Sequence, residues 1–275
     1  MSRLQRTALA AWLGFATLGP AFAGVHYQAV NKVAAAAGTS SEMQVEAWVS
    51  GPKARIEFRS SDNPIARTGS YVLTQDGGKT LYLVDPQDKT YSQWSVDGML
   101  GLVGGILKGL GPLLKIEFGA PRVEKLLEED GGLVAGQPTR HYRYRTTYTT
   151  KVRVFGFGNS SDTVQEQDLW IASKLTDPGL AVWLRSDPPR TGNPDFDQMI
   201  AANREKYQGF PLKSATVTTS TQQKSGKQSV SRTSQEVTEL SAAAVPDSRF
   251  ELPAGYQERQ LPLPAENPRG GPGAP

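Results

Sequence analysis

"DGMLGLVGGILKGLGPLLKIEF", residues 97–118, decides how the rest of the chain is read. From Gly98 to Leu114 its only charge is Lys108, whereas the sequence around it is polar and rich in threonine. Such a run is a membrane segment, a core helix or an apolar lid. A spanning helix needs about 20 apolar residues, and this run has 17, interrupted by Lys108 and Pro112. It is therefore not membrane-spanning. Wound as a helix, it sets Met99, Leu102, Val103, Ile106, Leu107, Leu110, Leu113 and Leu114 on one stripe. Gly101, Gly105 and Gly109 recur at a spacing that lets two backbones approach closely. Glycines inside a helix cost about 0.5–1 kcal/mol each relative to alanine. Large apolar side chains contribute about 1.5–3 kcal/mol each when buried, as an upper bound. Packing rather than propensity would hold this helix, so it reads as a lid over an apolar cavity or as a fixed core element.

On the N-terminal side, residues 1–23 begin with Arg3 and Arg6, continue through "TALAAWLGFATLGP" and end in Ala21-Phe22-Ala23 ahead of Gly24. Basic start, short apolar centre and small-residue exit together predict a signal peptide cleaved after Ala23. The chain is then periplasmic or secreted. Its remaining charges are 28 basic against 27 acidic residues, a net +1, which gives no footprint for nucleic acid. There is no cysteine, so disulfides, thiolate chemistry and lipid-modified cysteine are excluded.

Most of the chain after Gly24 alternates apolar and polar residues. "EMQVEAWV" (42–49), "KARIEFRS" (53–60), "SYVLTQD" (70–76), "KTLYLVD" (79–85) and "KTYSQW" (89–94) are separated by "SGPK", "DGGK" and "DPQDK". That pattern predicts an antiparallel meander of about five strands. Strands are also expected over 139–157 and 163–173, and a late hairpin turns at Lys224-Ser225-Gly226. One further helix is predicted in "NPDFDQMIAANREKYQGFP", with Asn193 at the N-cap, Pro194 at the first helical position and Gly209 past the end. The domain is expected to span 24–256. Residues 257–275, rich in proline and glycine, are expected to be a disordered tail.

In sequence order, "GSYVLTQDGGKTLYLVDPQDKTYSQW", the apolar insert, "GQPTRHYRY", "DLWIAS", "FPLK" and "DSRFELPAGYQ" resemble an uncharacterised family of bacterial exported proteins. That family is similar in outline to the periplasmic lipoprotein carriers of the LolA/LolB type. The resemblance covers 25–256 and implies a mainly β (α+β) fold, a half-open antiparallel β-barrel with helices across the concave face. In the carriers that face holds acyl chains. The contacts made by the carriers' own lid do not transfer residue by residue to this sequence.

Catalytic patterns are poorly supported. Ser50-Gly51-Pro52-Lys53, Ser61-Asp62-Asn63 and Lys224-Ser225-Gly226 approximate the three marks of serine β-lactamases. That chemistry needs the serine at the start of a helix, with the lysine one turn on, and Pro52 between two alternating segments predicts a turn instead. His26 and His141 are far apart and have no second ligand at helical spacing, so no metal site is expected. In "RHYRYR" alternation puts Tyr142, Tyr144 and Tyr148 on one face and His141, Arg143 and Arg145 on the other, a solvated face opposite an aromatic one. No enzyme activity, no cofactor and no nucleic-acid partner is expected. Two function classes remain. One is a protein that binds a lipid or lipoprotein acyl chain under the 98–114 lid, with Trp94 and Trp170 on the cavity wall beside the eight lid residues. The other is an interaction module of the cell envelope with a protein partner and no small ligand.

Overall fold

The computed structural model describes residues 24–35, 38, 40–95, 98, 114–155, 157–175, 180, 197–198, 201–202, 206 and 209–260. The expected signal peptide, the apolar run except for its two ends, and most of the 193–209 segment lie outside the described residues.

The described residues form thirteen strands: β1 (Gly24–Ala34), β2 (Ser40–Ser50), β3 (Lys53–Ser61), β4 (Tyr71–Thr74), β5 (Thr80–Asp85), β6 (Thr90–Ser95), β7 (Leu114–Phe118), β8 (Arg122–Val134), β9 (Gln137–Val154), β10 (Phe157–Ala172), β11 (Phe210–Gln222), β12 (Gln228–Ala243) and β13 (Gln257–Glu258). The expected five-strand meander is β2 to β6. Its turns use Gly51, Gly77 and Gly78 at positive φ, where a side chain would be strained.

All strands join one open sheet in the order β13-β6-β5-β4-β3-β2-β1-β12-β11-β10-β9-β7, with β8 also on β9. Pairing is antiparallel except for β13 on β6. The expected helices across one face are not seen: they fall mostly outside the described residues, among which helical backbone is limited to Gly98, Asp197–Gln198, Ala201–Ala202 and 3-10 turns at Leu180 and Asp247–Phe250. A correction concerns the tail, because Gln257 and Glu258 pair with Thr90 and Tyr91. Backbone hydrogen bonds, not side-chain burial, place them.

β1 is the seam of the sheet. Its register runs from Val25↔Val49 to Ala34↔Ser40 on one side and from Gly24↔Ala243 to Ala34↔Arg232 on the other. Side chains alternate across a strand, so the register defines an inner face, with Val25, Tyr27 and Ala29, and an outer face, with His26 and Gln28. The inner face holds the larger core: Val45, Ala47, Val49, Ala54, Ile56, Phe58, Phe210, Leu212 and Val237 cluster with the β1 residues.

The outer face of β3 to β6 has its own core of Tyr71, Leu73, Val84 and Phe250. Phe250 arrives on the segment after β12, which crosses this face as a strap. Lys53 Nζ meets Asp247 Oδ1 at 2.9 Å, Gln75 Nε2 donates to the Phe250 carbonyl at 2.7 Å, and the Arg249 guanidinium lies 3.5 Å from the Trp48 ring centroid. Arg259 N donates to the Tyr91 carbonyl at 2.7 Å, so the strap ends as an extra edge on β6.

Phe250 is 1% exposed, and truncating a buried phenylalanine costs about 3–5 kcal/mol. Phe250→Ala is therefore expected to lower unfolding stability by that amount in denaturant melts. Phe157→Ala, at an 85% exposed position, is expected to leave the midpoint unchanged.

Candidate functional site

Continuous register makes charge and face comparable across distant strands. On β1, β2, β10, β11 and β12, and on β9 from His141 onward, every acidic or basic residue falls on the outer face. These are His26, Lys32, Glu42 and Glu46, then His141, Arg143, Arg145, Lys151 and Arg153, then Asp162, Glu166 and Asp168, then Lys213, and finally Arg232, Glu236 and Glu239. On β3, Lys53, Arg55 and Glu57 follow the same rule, and Arg59 at the bulge turns to Glu46 on that side. The inner face of these segments is uncharged; beyond them, Arg140 at the start of β9 stands opposite Ile171 and pairs at 3.3 Å with Glu128 of β8, which stands opposite Tyr142.

That inner face changes character along the sheet. Over β1 to β3 it is aliphatic and aromatic. Over β9 to β11 it becomes a lane of hydroxyl and amide groups: Tyr142, Tyr144 and Thr146, then Gln165 and Gln167, then Thr216 and Thr218. The Tyr142 and Tyr144 rings stack at 6.2 Å.

One cation is brought to this lane from outside the sheet. Lys206 is 3% exposed, and its Nζ donates to Thr146 Oγ1 at 2.8 Å and to Gln167 Oε1 at 3.4 Å. It lies 5.8 Å from the Tyr144 ring centroid. Burial pushes the Lys206 ammonium down to about 8, because a dry neighbourhood disfavours the charged form. A buried donor also stands at the other end of the face, where Trp94 Nε1 on β6 has no hydrogen-bond partner among the described residues.

At the hairpin end of β1 and β2 there is a cavity of about 670 Å³, within the size range of small-molecule sites. Val33, Ala34, Ala215 and Val217 line it, and the Lys32–Glu42 pair, 3.1 Å apart, stands on its wall.

The outer face of β9 and β10 is a ladder of ion pairs. Arg145 meets Glu166 at 2.8 Å and Arg143 meets Asp168 at 2.8 Å. His141 lies between two carboxylates, Nδ1 at 3.0 Å from Glu129 and Nε2 at 2.7 Å from Asp168, and stacks on Trp170 at 4.2 Å with 5° between the planes. Tyr142 and Tyr144 take the opposite face, as their alternation predicts.

The expected cavity residues are thereby separated. Trp94, opposite Leu81, faces inward, whereas Trp170, between His141 and Lys213, faces outward. Met99, Leu102, Val103, Ile106, Leu107, Leu110 and Leu113 lie outside the described residues, and Leu114 opens β7. Sequence reasoning missed Lys206 and the inner amide lane; the only signal was the alternation within each strand.

The three β-lactamase-like motifs do not converge. Ser50 and Lys53 close the β2–β3 hairpin and Ser61 ends β3, so at roughly 3.3 Å per residue they stand about 26 Å apart. Asn63 Oδ1 is used locally, accepting from the Ile65 amide at 2.8 Å.

Residues 157–256 match a family described as a domain of unknown function, DUF4412, over less than half of the chain. No curated protein matches the sequence. Among solved structures, the chain is similar to an uncharacterized conserved protein from Thermus thermophilus, at 12% identity over 87% of this chain and 91% of that one, with a TM-score of 0.35. It is also similar to a LolA superfamily protein from Nitrosomonas europaea, at 11% identity over 84% and 90%, with a TM-score of 0.31. A protein domain from Vibrio parahaemolyticus, described as outer membrane lipoprotein-sorting, gives 12% identity over 84% and 90% and a TM-score of 0.30.

Lys206 yields a prediction with a definite sign. Unfolded, its ammonium titrates near 10.5; folded, near 8. Below pH 8 the buried charge costs about 3 kcal/mol. Between those values the unfolded chain binds the proton that the folded chain has lost, so stability rises with pH. The wild-type protein is therefore expected to gain about 2 kcal/mol relative to Lys206→Met between pH 7 and pH 10, read from urea midpoints. A pH-independent difference would place the ammonium in water.

Proposed function

We propose that this chain is a non-catalytic carrier that holds an apolar molecule with a polar end against the inner face of its sheet. One observation bears most of the weight: the inner face is uncharged on β1, β2, β10, β11, β12 and the part of β9 from His141 onward, while the outer face of the same segments is crowded with ion pairs. A face that only met water would gain nothing from excluding charge. A face that must be dry, or covered by apolar matter, would lose several kcal/mol for each charge left on it.

The aliphatic half over β1 to β3 suits a hydrocarbon chain. The hydroxyl and amide lane over β9 to β11 suits the ester, amide or hydroxyl groups at its head. Lys206 gives that lane a donor for a carbonyl or an anionic head.

In this reading the apolar run 98–114 is the cover. β6, which precedes it, and β7, which follows it, stand ten steps apart in the strand order, about 48 Å on a flat sheet. A helix over 98–113 would reach only about 24 Å, so in this reading the sheet curls to bring β6 and β7 within reach, as in a half-open barrel. The apolar side chains of the run from Met99 to Leu113 and a bound acyl chain would compete for the same inner surface. Release then needs no chemistry.

A carrier of this kind would work outside the cytoplasm, in the periplasm, with Gly24 as its first residue. N-terminal sequencing is expected to read Gly24-Val25-His26; retention of Met1 would remove the export part.

Charge placement tests the binding part. Gln165→Glu puts a carboxylate on the inner face with almost no change of shape, and Glu166→Gln removes one from the outer face. The first is expected to weaken uptake of a fluorescent fatty acid about tenfold or more, the second to leave it unchanged. Equal uptake by both variants, or none by the native protein, would favour an interaction module without a ligand.

A further inference from the structure

We infer that the paired tips of the β9–β10 and β11–β12 hairpins dock this protein onto an anionic phospholipid surface. The tips alone carry this role, independently of what the inner face holds.

The β9–β10 tip carries two phenylalanines on either side of Gly156, and both are in water: Phe155 is 69% exposed and Phe157 is 85% exposed. Phe155 sits in the turn at a φ of +50°, a conformation in which bulky side chains are uncommon. Neither ring belongs to a core cluster. Single exposed apolar residues are ordinary, but two large rings at one protruding tip form a surface that seeks an apolar phase.

Cations surround them. Arg153 and Lys151 lie on the outer face just below the tip, and the Arg153 stem packs over Gly158, where a Cβ would meet its Cγ at 2.9 Å. The neighbouring tip contributes Lys224, whose Nζ donates to the Gly158 carbonyl at 2.8 Å, and Gln223, whose backbone amide donates to the Ser160 carbonyl at 2.8 Å. Lys227 closes that turn. Two carboxylates are near. Asp162 accepts from Thr149 and Gln223, and Glu117 is 3.8 Å from Arg153.

Aromatic rings in front of a collar of lysine and arginine match a membrane interface. The rings enter the headgroup and acyl boundary, and the long basic side chains reach phosphate oxygens from behind. Charge complementarity selects an anionic lipid surface over a neutral one. A second copy of this chain would bring the same cations together and be repelled.

The test is co-sedimentation of the purified protein with vesicles of phosphatidylglycerol and phosphatidylethanolamine in equal parts, against vesicles of phosphatidylcholine. Binding is expected to the first and not the second, and to fall as salt is raised. Phe157→Ser is expected to weaken it about tenfold, and Phe155→Ser with Phe157→Ser about a hundredfold. Lys151→Glu with Lys224→Glu is expected to abolish the preference for anionic lipid. Circular dichroism and melting midpoints of all variants are expected to match the parent, since these side chains are exposed. Equal binding to phosphatidylcholine, or undiminished binding by the double serine variant, would overturn the assignment. So would self-association in sedimentation velocity that the serine substitutions remove.

Discussion

Pairing of β1 with β12 is the contact on which the rest of the structure depends. Without it the chain is two separate meanders, β1 to β6 and β9 to β12. With it, residues from opposite ends of the domain share a ladder, from Gly24↔Ala243 to Ala34↔Arg232. One continuous register then fixes which side of the sheet every side chain takes, and slipping β1, β2, β10, β11 or β12 by one residue would drive its charges onto the inner face. The ladder is expected to close late in folding because its loop entropy is large.

Face segregation follows from that register and divides the electrostatics in two. On the outer side, ion pairs such as Arg145–Glu166 and Arg143–Asp168 are exposed and contribute little to stability individually. Their physical effect is to keep this face wet and to oppose its burial. The exception is the quarter covered by the strap, where Glu57 lies among Arg55, Arg59 and Arg249, and Trp48 is stacked between His26 and Arg249. There the aromatic rings shield the ion pairs, and Phe250 closes the contact. The inner side from β1 to β3 and from β10 to β12 is left for apolar and neutral groups.

Much of this could be read from the sequence, for local reasons. β2 to β6 alternate cleanly and are punctuated by turn residues, so period and turn chemistry agree. The opposed faces of Tyr142 and His141 were equally legible, because they need only one strand. β8 was not. "EKLLEEDGG" places Leu126 and Leu127 side by side amid acids, and bulges between Lys125 and Leu127 and between Asp130 and Leu133 destroy the two-residue period. The opposite orientation of Trp94 and Trp170 was hidden for another reason: it depends on strand order and on the bulge between Trp170 and Ile171. Lys206 on the inner lane is a contact between residues 60 apart in sequence, which no local pattern encodes.

The central claim is that the inner face is shaped for a bound apolar molecule, and native mass spectrometry of protein purified without detergent addresses it most directly. The account predicts a population heavier than the polypeptide by a few hundred daltons, about the mass of one acyl-bearing molecule, with the excess lost when the same sample is sprayed from denaturing solvent. A single species at the polypeptide mass in both solvents, unchanged after incubation with a long-chain fatty acid, would contradict it.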